Sequence, residues 1–435
     1  MTTPRRPRSA HRHPLRAGAV LLVLLAACSN PIGPGDVEEI TELPRSLSVA
    51  ESEVITRSNH FGVDLLREVL ADDARDNVIL SPLSASMALG MTLNGADGGT
   101  FDAMRGGLGF GELEQEEINE AYQGLIALLT ELDPTVRFDI ANSVWARDDF
   151  PFHQIFFDVV AAAFDAEATA LDFSDPATVE VINAWVDEKT EGFIDSIIEE
   201  IDPALVMLLL NAIYFDGTWT NSFDPADTRQ QTFQREDGST VMVDMMSIAD
   251  VELGFGSGMV GETGYTAVEL PYGGEAFSML VVVPHGDVRD LVADLDDEAL
   301  SGITDAMTPT VVDGVSIPKF ELSYDAYLND ALKRMGMEVA FTPSADFTRM
   351  SPLGDQLCIA FVRQKTFMEV DERGTRAAAV TAVGVGLESF TGLVADRPFL
   401  LAIRERLSGT LLFIGVVGDP TAEDPGPEGF DNTCF

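Results

Sequence analysis

The sequence predicts an α+β fold, and three observations predict it. Apolar residues recur at helical spacing mainly in the first half of the chain, while strand patterns crowd the second half instead of alternating with helices. Hydrophobic residues make up 46% of the 435, enough to build a large core. Between about Leu47 and the last eighteen residues no second linker, low-complexity tract or fixed-period repeat interrupts the chain. Length alone would allow about two to three domains.

The first 27 residues are not part of that fold. Arg5, Arg6, Arg8, Arg12 and Arg16 precede an apolar run from Ala17 to Ala27. The run is shorter than the ~20 residues a membrane helix needs. A basic start, a short apolar run and small residues at its end describe an export signal. Leu25-Ala26-Ala27-Cys28 resembles a bacterial lipobox, so residues 1–27 are expected to be removed and Cys28 to carry lipid. The expected location is the bacterial cell envelope, at the outer membrane or cell surface, with the lipid as the sole membrane contact. Residues 28–46 are rich in Pro, Gly and acid and read as a flexible tether.

The elements then follow in order. Phe61, Leu65, Leu66 and Val69 share one face of a helix over His60 to Leu70. Ser81-Pro82 starts a second helix, Leu83 to Leu93. Trp185, Phe193, Ile194 and Ile198 mark a third, over Val179 to Ile198. Val206 to Phe215 reads as a long buried strand, and Phe277 to Val283 and Leu411 to Val417 as two more. Residues 421–435 form an acidic tail.

Composition removes several function classes. Lys and Arg number 27 against 72 Asp and Glu, a net charge of −45 that becomes −50 once the arginine-bearing signal is gone. Such a chain repels nucleic acid and anionic membrane surfaces. His60, His153 and His285 are isolated, and neither a zinc pattern, a phosphate loop nor a Ser/His/Asp set stands out. No catalytic residues, metal or cofactor are expected, and the chain is not read as an enzyme.

One segment resists an ordinary reading. From Gly374 to Ser389 the chain has no proline, and Arg376 is the sole charge before Glu388. Read with period two, Thr375, Ala377, Ala379, Thr381, Val383, Val385 and Leu387 share one uncharged face. Arg376 and Glu388 fall on the other. Such a segment can be buried as a central strand.

The flanks give that segment a meaning. Glu369-Val370-Asp371-Glu372-Arg373-Gly374-Thr375 followed by Ala377-Ala378-Ala379 resembles the hinge of the serpin family. Leu393-Val394-Ala395-Asp396-Arg397-Pro398-Phe399 resembles its C-terminal signature. Further blocks occur in serpin order: Asn77 to Ser84 with Gly95-Ala96, Asn142 to Trp145, Ile182 to Val186, Asn211 to Trp219, Leu270 to Tyr272, and Pro318 to Phe320. The resemblance spans Val54 to Pro420 and implies one domain over 47–420. Its implied architecture is helices around a large central sheet with two smaller sheets, plus an exposed reactive loop at 374–396. It also implies a monomer that traps a target serine protease, or alternatively a cysteine protease. The protease cleaves the loop, an acyl-enzyme ester forms, and the freed loop inserts into the main sheet.

The resemblance also implies roles. Glu372, Gly374, Thr375, Ala377, Ala378 and Ala379 match the hinge. Ser81, Ser84, Asn211, Gln364 and Lys365 match a polar cluster beneath the sheet, and Trp219 a tryptophan at its top. There are departures: Gln364 stands where many relatives have His, Arg376 where an acid is usual, and Asp216 where a base is common. Counting forward from Gly374 places the attacked bond at Glu388–Ser389, whereas counting back from Pro398 favours Leu387–Glu388. Cys358 and Cys434 are expected either to pair in a disulfide or to remain free thiols. The rival reading is a non-inhibitory serpin-fold protein acting as a binding or chaperone-like surface lipoprotein.

Overall fold

The structure, a computed structural model, describes residues 38–373 and 390–427. The described helices that matter here are α1 (Val49–Asp72), α2 (Pro82–Leu93), α3 (Gly98–Gly107), α4 (Gln115–Glu131), α5 (Gln154–Phe164) and α6 (Ala177–Lys189). Sixteen strands accompany them: β1 (Asn77–Leu80), β2 (Val136–Arg147), β3 (Ala166–Leu171), β4 (Met207–Gly217), β5 (Arg229–Gln234), β6 (Thr240–Ile248), β7 (Val251–Val260), β8 (Thr263–Tyr272), β9 (Phe277–Pro284), β10 (Thr308–Val312), β11 (Gly314–Pro318), β12 (Phe320–Tyr327), β13 (Arg363–Val370), β14 (Gly392–Val394), β15 (Phe399–Glu405) and β16 (Leu411–Val417).

Local chemistry sets the helix ends. Ser48 Oγ accepts from the Glu51 amide while Glu51 returns the bond to the Ser48 N–H, a reciprocal cap that starts α1 eleven residues before the apolar spacing becomes visible. Ser81 caps α2 and Pro82 occupies its first position. Nearly every residue of α2 is buried, as expected of a helix apolar on all sides. The third helix corrects the sequence expectation. It ends at Lys189, not Ile198, because Glu191 (φ 52°) and Gly192 (φ 85°) turn the backbone left-handed. The apolar residues that prolong the helical pattern, Ile194, Ile197 and Ile198, instead pack with Trp185, Leu208 and Leu210.

Seven strands form an antiparallel sheet in the order β1-β16-β15-β9-β8-β7-β10. Its centre, β9, β15 and β16, is almost wholly buried. A second sheet runs β14-β11-β6-β5. The remaining strands form a three-stranded sheet, β3-β2-β4, and a two-stranded one, β12-β13. The α+β class holds. Among the described residues four sheets occur where the resemblance implies three, because β4 and β13 are not hydrogen-bonded to each other.

The described residues belong to one compact unit. Residues 38–46, within the span read as tether, lie against it. The Ile40 amide donates to the Gly274 carbonyl at 2.7 Å, and Arg45 bonds both Glu51 and the Gly124 carbonyl. The start of the tail is fastened too. Asp424 pairs with Arg75 at 2.9 Å and accepts the Asp325 amide of β12 at 2.7 Å.

Candidate functional site: a slot between two unpaired strand edges

β4 is paired along its whole length with β2, from Gly217↔Val136 to Met207↔Ala146. β13 is paired along its whole length with β12, from Arg363↔Tyr327 to Val370↔Phe320. Their other edges face each other, and among the described residues no strand pairs with either. The lower part of the slot between them is a cavity of about 310 Å³, flanked by residues 205–211 on one side and 361–365 on the other. The upper part, about 290 Å³, is flanked by residues 213–219 and 367–371. Both strands therefore ascend together. Unpaired N–H and C=O groups along two facing edges are a template for one more strand. A chain leaving the top of β13 and folding back down would run antiparallel to both edges.

The lower end is organised by two separate polar pairs. Gln364 Oε1 accepts the Ser81 N–H at 3.0 Å and Gln364 Nε2 donates to the Ser81 carbonyl at 2.8 Å. Ser81 Oγ donates to the Leu412 carbonyl at 2.8 Å and accepts weakly from the Ser84 amide at 3.4 Å. Asn211 does not join them. Its Nδ2 donates to Asn142 Oδ1 at 2.7 Å, and Asn142 Nδ2 donates to the Phe164 carbonyl at 2.7 Å. Asn211 Oδ1 is buried without a partner. Ser84 and Asn211 line the same cavity. Lys365 lies apart, donating to the Ser196 carbonyl at 3.0 Å. Of the residues expected as one cluster, Ser81, Ser84 and Gln364 are bonded together, Asn211 bonds instead to Asn142, and Lys365 is an outlier. Asn142 and Thr366, whose Oγ1 donates to the Ile79 carbonyl at 2.7 Å, were missed. Thr366 shares strand parity with Gln364, the signal that could have found it.

The upper end is an aromatic and ionic clamp. Trp219 is 5% exposed and stacks on Tyr272 with ring centroids 4.4 Å apart. Its Nε1 donates to the Asp371 carbonyl at 2.8 Å. Glu372 accepts from Lys319 Nζ at 2.7 Å and from Thr228 Oγ1 at 2.7 Å. Burial pushes the Glu372 carboxyl up, but the bonds from Lys319 and Thr228 outweigh it and hold it below its ordinary value. The bond to Glu372 raises Lys319 in turn. Sequence reasoning assigned no role to Lys319 or Thr228. Arg373 pairs with Asp371 and, at 3.1 Å, with Glu369. Those two carboxylates, joined more weakly by Asp216 across the slot, raise its guanidinium. Asp216, unexplained from sequence, is one of the acids facing this cation.

Gly374, Thr375, Arg376, Ala377, Ala378, Ala379, Leu387, Glu388 and Ser389 lie outside the described residues, as do Cys28 and Cys434. The chain leaves the clamp at Arg373 and re-enters at Phe390, just before β14, which pairs with β11. Cys358 is partly buried and disulfide-bonded. The three histidines of the described residues are scattered: His60 faces Asp64, His153 begins α5 and His285 faces Thr266. Among the described residues no group of three or more His, Cys, Asp or Glu could hold a metal ion.

Comparison with known proteins extends these features. A family model described as "Serpin (serine protease inhibitor)" matches residues 56–420. Serpin A3-8 of Bos taurus is 30% identical over 386 residues, 87% of this chain and 92% of that protein. Alpha-1-antichymotrypsin of Homo sapiens is 30% identical over 404 residues, 91% of this chain and 95% of the relative. Among solved structures, native tengpin, a thermophilic serpin, superposes with a TM-score of 0.74 at 30% identity, covering 88% of this chain and 97% of that one. Human thyroxine-binding globulin complexed with thyroxine superposes with a TM-score of 0.76 at 27% identity, covering 86% of this chain and 100% of that one.

Proposed function

The chain belongs to the serpin family, whose members are commonly protease inhibitors, and from that premise we propose that it inhibits a serine endopeptidase by loop cleavage, acyl-enzyme trapping and strand insertion. The observation that carries this is the pair of co-directional edges of β4 and β13, unpaired among the described residues, directly below the point where the chain leaves β13.

The protease serine Oγ attacks the carbonyl carbon of Glu388, or of Leu387 on the alternative count. Its histidine takes the serine proton and passes it to the leaving amine of the next residue. The C–N bond breaks and an ester links the protease to the loop. The freed segment then descends into the slot, gaining backbone hydrogen bonds on both sides. Its uncharged face, from Thr375 to Leu387, turns inward, where a charge would be costly. In this mechanism the catalytic groups are the protease's own, and the chain acts as its inhibitor.

We infer further that Cys28 is lipidated, that the protein is held at the cell envelope as a monomer, and that Cys358 pairs with Cys434. The non-inhibitory reading is favoured by one observation, the thyroxine-binding globulin among the similar structures. Mixing the protein with elastase, subtilisin and a glutamyl endopeptidase separates the two. An inhibitor gives a complex that survives boiling in detergent and, once the Cys358–Cys434 bond is reduced, releases a short C-terminal peptide beginning at Ser389 or Glu388. Cleavage by all three without a complex supports the non-inhibitory reading.

A further inference from the structure

Phe193 touches both sides of the slot. Its ring centroid lies 5.6 Å from that of Tyr214 on β4 and 4.9 Å from that of Phe367 on β13, tilted 30° and 33° to them. It is 40% exposed, so it spans the slot from the outer face. The local sequence places it there. α6 stops at Lys189, the Gly192 amide donates to the Asp187 carbonyl at 2.8 Å, and Phe193 and Ile194 donate to the backbone and hydroxyl oxygens of Thr190. The segment is then tied down at both margins. On the β2 side Arg137 donates to Glu191 at 2.7 Å and lies 5.1 Å from the Tyr214 ring. On the β13 side Lys365 and Arg363 donate to the carbonyls of Ser196 and Ile197 at 3.0 and 2.8 Å. Lys365, which has no place in the lower polar cluster, is one of these ties.

We propose that Phe193 is an aromatic latch across the slot, and that release of its ring from Tyr214 and Phe367 sets the rate at which a strand enters. The inference rests on the strand-insertion reading above. A strand in the slot turns every second side chain outward. At the level of Tyr214 and Phe367 that outward position is the space the Phe193 ring occupies. The ring must leave as the strand advances past this level, and both ring contacts are lost together. Two such contacts correspond to a rate difference of about ten- to a hundredfold.

The test is uptake by the full-length protein of a fluorescein-labelled synthetic peptide copying residues 375–387, followed on native gels with time. Phe193→Ala is expected to take up the peptide about ten- to a hundredfold faster than the unaltered protein. Phe193→Leu, which keeps apolar bulk without a ring, is expected to fall between them and serves if the alanine variant folds poorly. Val181→Ala, on the exposed face of α6, is expected to keep the original rate. Equal rates for all four proteins, or equal acceleration by Val181→Ala, overturn the latch and leave insertion standing. No uptake by any of them overturns insertion and the latch with it.

Discussion

The indole N–H of Trp219 donates to the carbonyl oxygen of Asp371 at 2.8 Å, so the last residues before the loop are pinned to the head of the slot that the loop is proposed to enter. Trp219→Phe keeps an aromatic ring beside Tyr272 and removes this bond together with part of the buried indole. The expected result is a loss of about 1 kcal/mol in urea unfolding, with faster heat-induced loss of inhibition. Chemical denaturation followed by circular dichroism measures the first and residual complex formation after heating the second.

The Lys319–Glu372 pair makes the same region pH-dependent. Glu372 is held below its ordinary carboxylate value in the folded chain, so its contribution is full at neutral pH. The contribution is lost as pH falls through that lowered value. Glu372→Gln is expected to flatten this part of the acid limb and to cost about 1 kcal/mol at neutral pH, because Lys319 is more than a third exposed. Unfolding free energies of both proteins from neutral pH to about pH 3 check it. Parallel curves would contradict it.

Gln364 satisfies both backbone groups of Ser81 in a buried place. Gln364→Ala leaves that N–H and carbonyl without their side-chain partner and is expected to cost about 1–3 kcal/mol. Gln364→Glu keeps an acceptor for the N–H but brings an unpaired charge, and is expected to destabilise more at neutral than at acid pH. Denaturant midpoints at the two pH values separate the cases.

Thr375→Arg places a charge on the face that insertion would bury. The expected outcome is a switch from stable complex to cleaved product with an unchanged rate of loop cleavage. Densitometry of the two products measures the partition, and retained complex formation would refute the inward orientation of Thr375.

Much of this was legible in the residues. The buried strands β9 and β16 stand out as apolar runs, and Ser81-Pro82 marks the start of α2 directly. What the sequence hid is specific. A helical pattern through Ile198 continues past the end of α6 because Ile194 and Ile198 face Trp185 and β4, and periodicity cannot tell a strap from a helix. The partner of Asn211 is Asn142, 69 residues away, and no local spacing links them. The replacement of an expected His by Gln364 looked like altered wiring. In this chain the Gln364 side-chain amide bonds both backbone groups of Ser81, which a single imidazole nitrogen would not do. A run such as Val206 to Phe215 also announces a buried strand without saying that one of its edges has no partner.

That open edge is the centre of the account, and hydrogen–deuterium exchange tests it most directly. In the intact protein, amides of β4 and β13 that point into the slot are expected to exchange faster than those bonded to β2 and β12. After cleavage of the loop they are expected to become protected along both strands, as a new strand pairs with each edge. Exchange that stays unchanged after cleavage would contradict insertion between β4 and β13.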